Sequence, residues 1–237
     1  MSTKANQKRT SDKQSRKPTK AQLRARRGRS SGRGLSVGAY AAIGIVVGVL
    51  VLGGIFYFNN RPSGKGGSGE FAFQVGTPGP GEEAPPIELP SATGGSFSLA
   101  SLREKNVLLY FQEGLMCQPC WDQIKDIERD WAKFQALGID EVVTITTDPL
   151  DGLEQKVRDE RLSTPVLSDR TRQVSESYET TSYGMMGEGF NGHSFILVGP
   201  DGKIRWRADY GGPPDYTMFL PVKSLLADIR AGLKSER

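Results

Sequence analysis

Histidine and cysteine are almost missing from this 237-residue chain, which has one imidazole, His193, and two thiols, Cys117 and Cys120. A single imidazole excludes a multi-histidine metal centre, and two cysteines exclude a small fold stapled by disulfides. Acidic side chains are missing from the start of the chain. Residues 1–34 hold 12 Lys and Arg against one acid, Asp12, so they carry +11, while the other 203 residues carry −7. The sequence pI of about 9.0 therefore belongs to a tail, and a reading of the whole protein as a basic nucleic-acid binder is excluded.

That tail also lacks apolar side chains, so it cannot bury enough surface to offset chain entropy and is expected to be disordered. Long uncharged runs are absent with one exception, Leu35–Phe58, 24 residues without a charge. As a helix this run would be roughly 36 Å long, enough for a hydrocarbon core of about 30 Å with some tilt, and it is expected to be a single transmembrane helix. A cleaved signal peptide fits less well, because the preceding region is too long and no small-residue cleavage site follows Phe58. The Lys/Arg excess lies wholly before the span, which places the N-terminus in the cytoplasm and the remainder outside it. Residues 59–83 are rich in Gly, Pro and Ser and read as a flexible linker, in which alternating Phe71, Phe73 and Val75 offer a short edge strand. Residues 84–237 are of a size to form one core.

Within that part, Val107–Phe111 and Glu141–Thr146 are apolar runs expected of strands covered on both faces. Trp121, Ile124, Ile127, Trp131, Phe134 and Leu137 fall on one stripe of a helix over 117–137, with Gly138 as its cap. A charged helix over 150–162, a short strand over 165–167 and a helix over 170–178 follow. Strands over 195–198 and 204–208 flank the turn Gly199-Pro200-Asp201-Gly202, and residues 220–233 read as a terminal helix. The pattern predicts an α/β fold, a central mixed sheet flanked by helices.

Cys117-Gln118-Pro119-Cys120 stands just past a buried strand, at the start of the long helix. Unpaired N–H groups and partial positive charge at a helix N-terminus favour a thiolate at Cys117. Spacing i, i+3 brings both sulfurs within bonding reach, and Pro119 lacks an N–H where the first turn needs none. Three uses of the pair stay open. A structural staple closing so short a loop yields only about 2 kcal/mol. Half of a zinc site lacks further ligands beyond His193 and carboxylates. A reversible dithiol uses the spacing and the helix position directly.

The segments APPIELPSATGGSFSLASL, VLLYF, CQPC, VVTITTD, STPVLSD and FILVGPDGKI, taken in this order, resemble the thioredoxin-fold redoxins of the peroxiredoxin (AhpC/TSA) and membrane-anchored TlpA-like kind. The resemblance runs from Ala84 to about Leu226. It implies a thioredoxin-like fold, Cys117 as attacking thiolate, Cys120 as resolving partner, and no cofactor. Partners would be protein thiols or disulfides, or a hydroperoxide, together with an electron-donor protein. The peroxiredoxin pattern P-x-x-x-T-x-x-C is departed from at Tyr110 and Gly114, which removes a hydroxyl that helps hold peroxide. The family's cis-Pro opposite the cysteines corresponds to His193, which would then face CQPC and stabilise the thiolate or shuttle its proton. Two thiolates and an imidazole also make a soft set for Cu(I), similar in part to copper chaperones of the Sco type. Met185 and Met186 would form an apolar rim, and Asp148, after the 141–146 strand, stands where α/β folds place functional groups, with capping of the next helix an equal explanation. The resulting expectation is a membrane-tethered, extracytoplasmic thiol-disulfide oxidoreductase. A thiol peroxidase is the first alternative and a copper-binding module the second.

Overall fold

A computed structural model describes residues 45–53, 70–187 and 189–235. The chain forms two units, residues 1–61 and 62–237. In the first, residues 45–53 are helical. No helix among the described residues is long and apolar enough to cross a membrane. The basic tail, the remainder of the 35–58 run and residues 59–69 lie outside the described residues.

In the second unit the two apolar runs form β3 (Val107–Phe111) and β4 (Glu141–Thr146), paired in parallel. Three-residue strands β1 (Glu88–Pro90) and β2 (Ser96–Ser98) make a separate antiparallel pair. β5 (Val166–Ser168), β6 (Ser194–Val198) and β7 (Ile204–Asp209) complete a five-stranded mixed sheet of order β5-β4-β3-β6-β7. The helices are α1 (Gln118–Arg129), α2 (Trp131–Gln135), α3 (Leu150–Glu160), α4 (Gln173–Ser177) and α5 (Val222–Ser235).

Alternate residues of β3 serve two cores. Leu108 and Tyr110 join Phe195, Leu197 and Trp206 against Trp121, Ile124 and Ile127 of α1 and Leu225 and Ile229 of α5. Val107, Leu109 and Phe111 join Val143, Ile145 and Ile196 against Val174, Tyr178 and Ile87 on the other face. The single long helix expected over 117–137 is broken at Asp130, which leaves helical geometry at φ −102°, ψ 17°. The apolar stripe continues across the break; the C-cap of α2 is Ala136, and Gly138, the expected cap, turns the chain two residues later at φ +81°.

Residues 70–83 are not a linker where the structure describes them. Phe73 meets Trp206 and Tyr210 edge-on at centroid distances of 6.3 and 5.2 Å. Gln74 bridges to Asp209 and Glu83 to Lys203. The Gly76 N–H donates to Asp209 Oδ2 at 2.8 Å, and Arg207 donates to the Pro78 carbonyl at 3.0 Å. Arg207 is fully buried, which a strand arginine flanking Trp206 does not announce. Its charge is met by Asp209 through Nε and Nη2, at 2.9 and 3.1 Å, and by the Tyr183 ring at 5.7 Å. A buried ion pair survives when its remaining donors find partners, and here the Gly/Pro-rich segment supplies one of them.

Candidate active site

β3 runs along the middle of the sheet and delivers the chain to a short loop, residues 112–116, from which α1 starts. Cys117 is the N-cap of α1, its N–H donating to the Gly114 carbonyl at 3.0 Å, and Pro119 lies in the first turn. The first turn sets the two cysteine Cα atoms 5.3 Å apart, and the sulfurs form a disulfide. Cys117 is 6% exposed and Cys120 is 0% exposed, so both are buried and only the first residue keeps any contact with solvent.

Three elements hold the loop. Gln112 Oε1 accepts the Gly114 N–H at 2.9 Å, and Trp121 Nε1 donates to the Gly114 carbonyl at 3.0 Å. Asp148, from the end of β4, accepts the Leu115 N–H at 2.9 Å and the Thr146 hydroxyl at 2.7 Å. The expected capping role of Asp148 is therefore not what it does; Pro149 is the N-cap of α3 and takes no side-chain cap bond. Gly114 has φ +100°, and a Cβ there would overlap the Asp148 carboxylate and crowd the Thr146 hydroxyl at 2.6 Å. The family hydroxyl is missing at this position because a carboxylate from the neighbouring strand fills the space. Gly114→Ala should destabilise the protein by about 2 kcal/mol, from forced backbone and overlap together, read from the urea midpoint.

Glu113, which sequence reasoning missed, is 2% exposed. Its carboxylate accepts the Met185 N–H at 2.6 Å and the Met186 N–H at 3.2 Å. Burial raises its pKa above the ordinary value, and the two N–H bonds oppose that rise. The signal available in the sequence was a lone carboxylate between a buried strand and the cysteine motif, with no helix face to solvate it. Met185 and Met186 are 59% and 42% exposed, as an apolar rim requires, and Met116 is 80% exposed beside Cys117.

His193 immediately precedes β6 and is fully buried. Its Nδ1 lies 2.9 Å from the Tyr110 hydroxyl, which also reaches the Cys120 carbonyl at 3.4 Å. Its ring packs edge-on against Tyr110 and Phe195 at 4.9 and 5.2 Å, and Nε2 has no partner among the described residues. Burial lowers its pKa to about 3, so the imidazole is neutral through the physiological range. A neutral ring brings no positive charge to the dithiol. Burial, then the Glu113 charge, raise Tyr110 well above its ordinary value, so the phenol also stays neutral. Among the described residues, no three His, Cys, Asp or Glu side chains are grouped to hold a metal ion.

Gln118, inside the motif, ties the first turn of α1 to α3. Its amide donates to Glu160 at 3.2 Å and accepts from Lys156 at 2.8 Å, and Lys156 also lies 5.5 Å over the Trp121 ring. The Lys156 bond is the largest cause holding Glu160 down to about 2.

The AhpC/TSA family model matches residues 80–207. A peroxiredoxin-named protein of Mycobacterium tuberculosis is 33% identical over 129 residues, 53% of this chain and 81% of that protein. Peroxiredoxin Bcp of Escherichia coli K12 is 30% identical over 128 residues, 52% of this chain and 81% of its own length. Among solved structures, peroxidoxin BcpB from M. tuberculosis is similar at TM-score 0.52 and 22% identity, over 64% of this chain and 96% of that one. Reduced 2-Cys peroxiredoxin from Plasmodium vivax is similar at TM-score 0.54 and 20% identity, over 66% and 83%. These two structures agree with the mixed sheet and flanking helices found here, a thioredoxin-like fold. With the match running from the segment that closes β7, through the dithiol, into β7 itself, the chain belongs to the AhpC/TSA family and is an oxidoreductase.

Proposed function

We propose that this chain is a thiol peroxidase that reduces a hydroperoxide with Cys117 and resolves the product with Cys120. The carrying observation is the disulfide between two cysteines of a single helical turn, of which Cys117 keeps slight exposure and Cys120 none. The Cys117 thiolate attacks the terminal oxygen of the hydroperoxide. An S–O bond forms, the O–O bond breaks, and the leaving alkoxide takes a proton from water. Cys117 becomes a sulfenic acid and the peroxide an alcohol or water. Cys120 then attacks the Cys117 sulfur, forming the S–S bond as hydroxide leaves with the Cys120 proton. Because the partner is three residues along the same turn, this step needs no unfolding of α1. A dithiol protein returns two electrons to restore both thiols.

The peroxiredoxin-named relatives weigh toward peroxide over the disulfide exchange expected from the motif alone. Exchange with protein disulfides remains the second reading, favoured by the exposed Met116 beside Cys117. The charge step and the uncharged 35–58 run support a membrane tether, with the basic N-terminus cytoplasmic and the redox unit outside.

Rapid mixing of reduced protein with hydrogen peroxide decides between the two readings. Trp121, bonded to the loop carbonyl, provides a fluorescence signal. The expected result is consumption of one peroxide per chain with the Cys117–Cys120 disulfide as product. Inertness to peroxide, with ready reduction of a protein disulfide, overturns the peroxidase reading.

A further inference from the structure

Attack on a hydroperoxide needs more than a thiolate. The hydrogen on the attacked oxygen must be directed to an acceptor, so that the O–O bond points away from sulfur. Loop 112–116 carries no hydroxyl at Gly114, the residue whose carbonyl accepts the Cys117 N–H. The nearest polar group to the missing Cβ is the Asp148 carboxylate, followed by the Thr146 hydroxyl. Both come from the end of β4, not from the loop. Thr146 donates to Asp148 Oδ2, and so does the Leu115 N–H, which fixes the carboxylate against the loop. The carboxylate is only part-buried, and Oδ1 takes no hydrogen bond among the described residues.

We infer that Asp148 orients the hydroperoxide at Cys117 by accepting the O–H hydrogen of the attacked oxygen, with Thr146 and the Leu115 N–H holding the carboxylate in place. The inference rests on the peroxidase reading. The accepted hydrogen stays on its oxygen and becomes that of the sulfenic acid. Sulfur is oxidised by two electrons, and the leaving alkoxide is protonated by water. The carboxylate therefore neither gains nor loses a proton overall.

Electrostatics and substrate orientation give opposite signs for one substitution. Asp148→Asn keeps an oxygen acceptor for Leu115 and Thr146 but removes a negative charge from against the loop that leads into Cys117. Charge alone would raise the thiolate fraction of Cys117, which favours reaction with every electrophile alike. Loss of a charged acceptor would slow only the hydroperoxide. Reduced full-length protein is mixed with hydrogen peroxide, and separately with iodoacetamide, which has no O–H to orient. The expected result is peroxide oxidation slowed by at least about tenfold, the loss of one charge-assisted hydrogen bond, with alkylation of Cys117 unchanged or faster. Asp148→Ser, with a near-UV spectrum confirming the fold, should behave alike. Equal slowing of both reactions in both variants assigns Asp148 to holding the loop only and overturns the inference. Faster peroxide oxidation in Asp148→Asn also overturns it. Wild type that alkylates but ignores peroxide brings down the peroxidase reading itself, and the inference with it.

Discussion

Cys117→Ser is expected to abolish hydroperoxide consumption, by at least about a thousandfold, because the one remaining thiol, Cys120, is fully buried. Cys120→Ser should behave differently. Its first turnover should proceed at the wild-type rate, since the reacting sulfur and the loop around it are untouched. It should then stop as a sulfenic acid on Cys117, trapped by dimedone and seen by mass spectrometry, and a dithiol donor should support no second turnover through a Cys117–Cys120 disulfide. Equal loss in both single variants would mean that the sulfurs act as one unit from the first step. That result would contradict the separate roles assigned to them.

The second large effect is on stability against acid. An exposed histidine takes up a proton near pH 6.5, but buried His193 does so only near pH 3. The unfolded chain therefore binds this proton first as pH falls. The stabilisation from the neutral buried ring is complete above pH 6.5 and is lost progressively between 6.5 and about 3, an effect of roughly 3–5 kcal/mol. Glu160, held down to about 2, adds to the loss below its ordinary value near 4.5. Glu113 works in the opposite direction, because its raised pKa lets the folded state take a proton before the unfolded one. Urea unfolding at a series of pH values should show a steep fall from pH 6.5 toward 4. In His193→Gln that slope should lose up to about 1.4 kcal/mol per pH unit, the contribution of one proton. An unchanged slope would mean that His193 is reached by water.

How much of this was visible in the sequence follows from what each feature depends on. β3 and β4 are buried on both faces, so they appear as unbroken apolar runs, and the dithiol declares itself by spacing. The β1–β2 pair has three-residue strands; alternation over 97–99 marks β2 to within one residue, while β1, ending in Pro90, is too short to show any. Asp148 meets Leu115 across 33 positions, through the parallel register of β3 and β4, which no local pattern contains. The departure at Gly114 was legible as a missing hydroxyl. Its reason was not, because it requires knowing what stands opposite. Arg207 reads as an outward strand residue until the segment before residue 84 is seen to cover it.

That covering segment reaches further than β7. The sheet has two outer strands, and an uncovered outer strand offers its backbone groups to any other strand, including one from a second copy of the same chain. Along β7, Gln74 exchanges backbone bonds with Asp209, and Glu82 and Gly81 bond to Ile204. The same stretch then passes to β5, where the Ala92 N–H donates to the Val166 carbonyl. One run of about twenty residues thus hems both margins of the sheet. Strand addition is hindered at both margins, which leaves side chains beside the dithiol as contacts for another chain. The most exposed of these beside the dithiol is Met116, next to the sulfur that has to meet its partner.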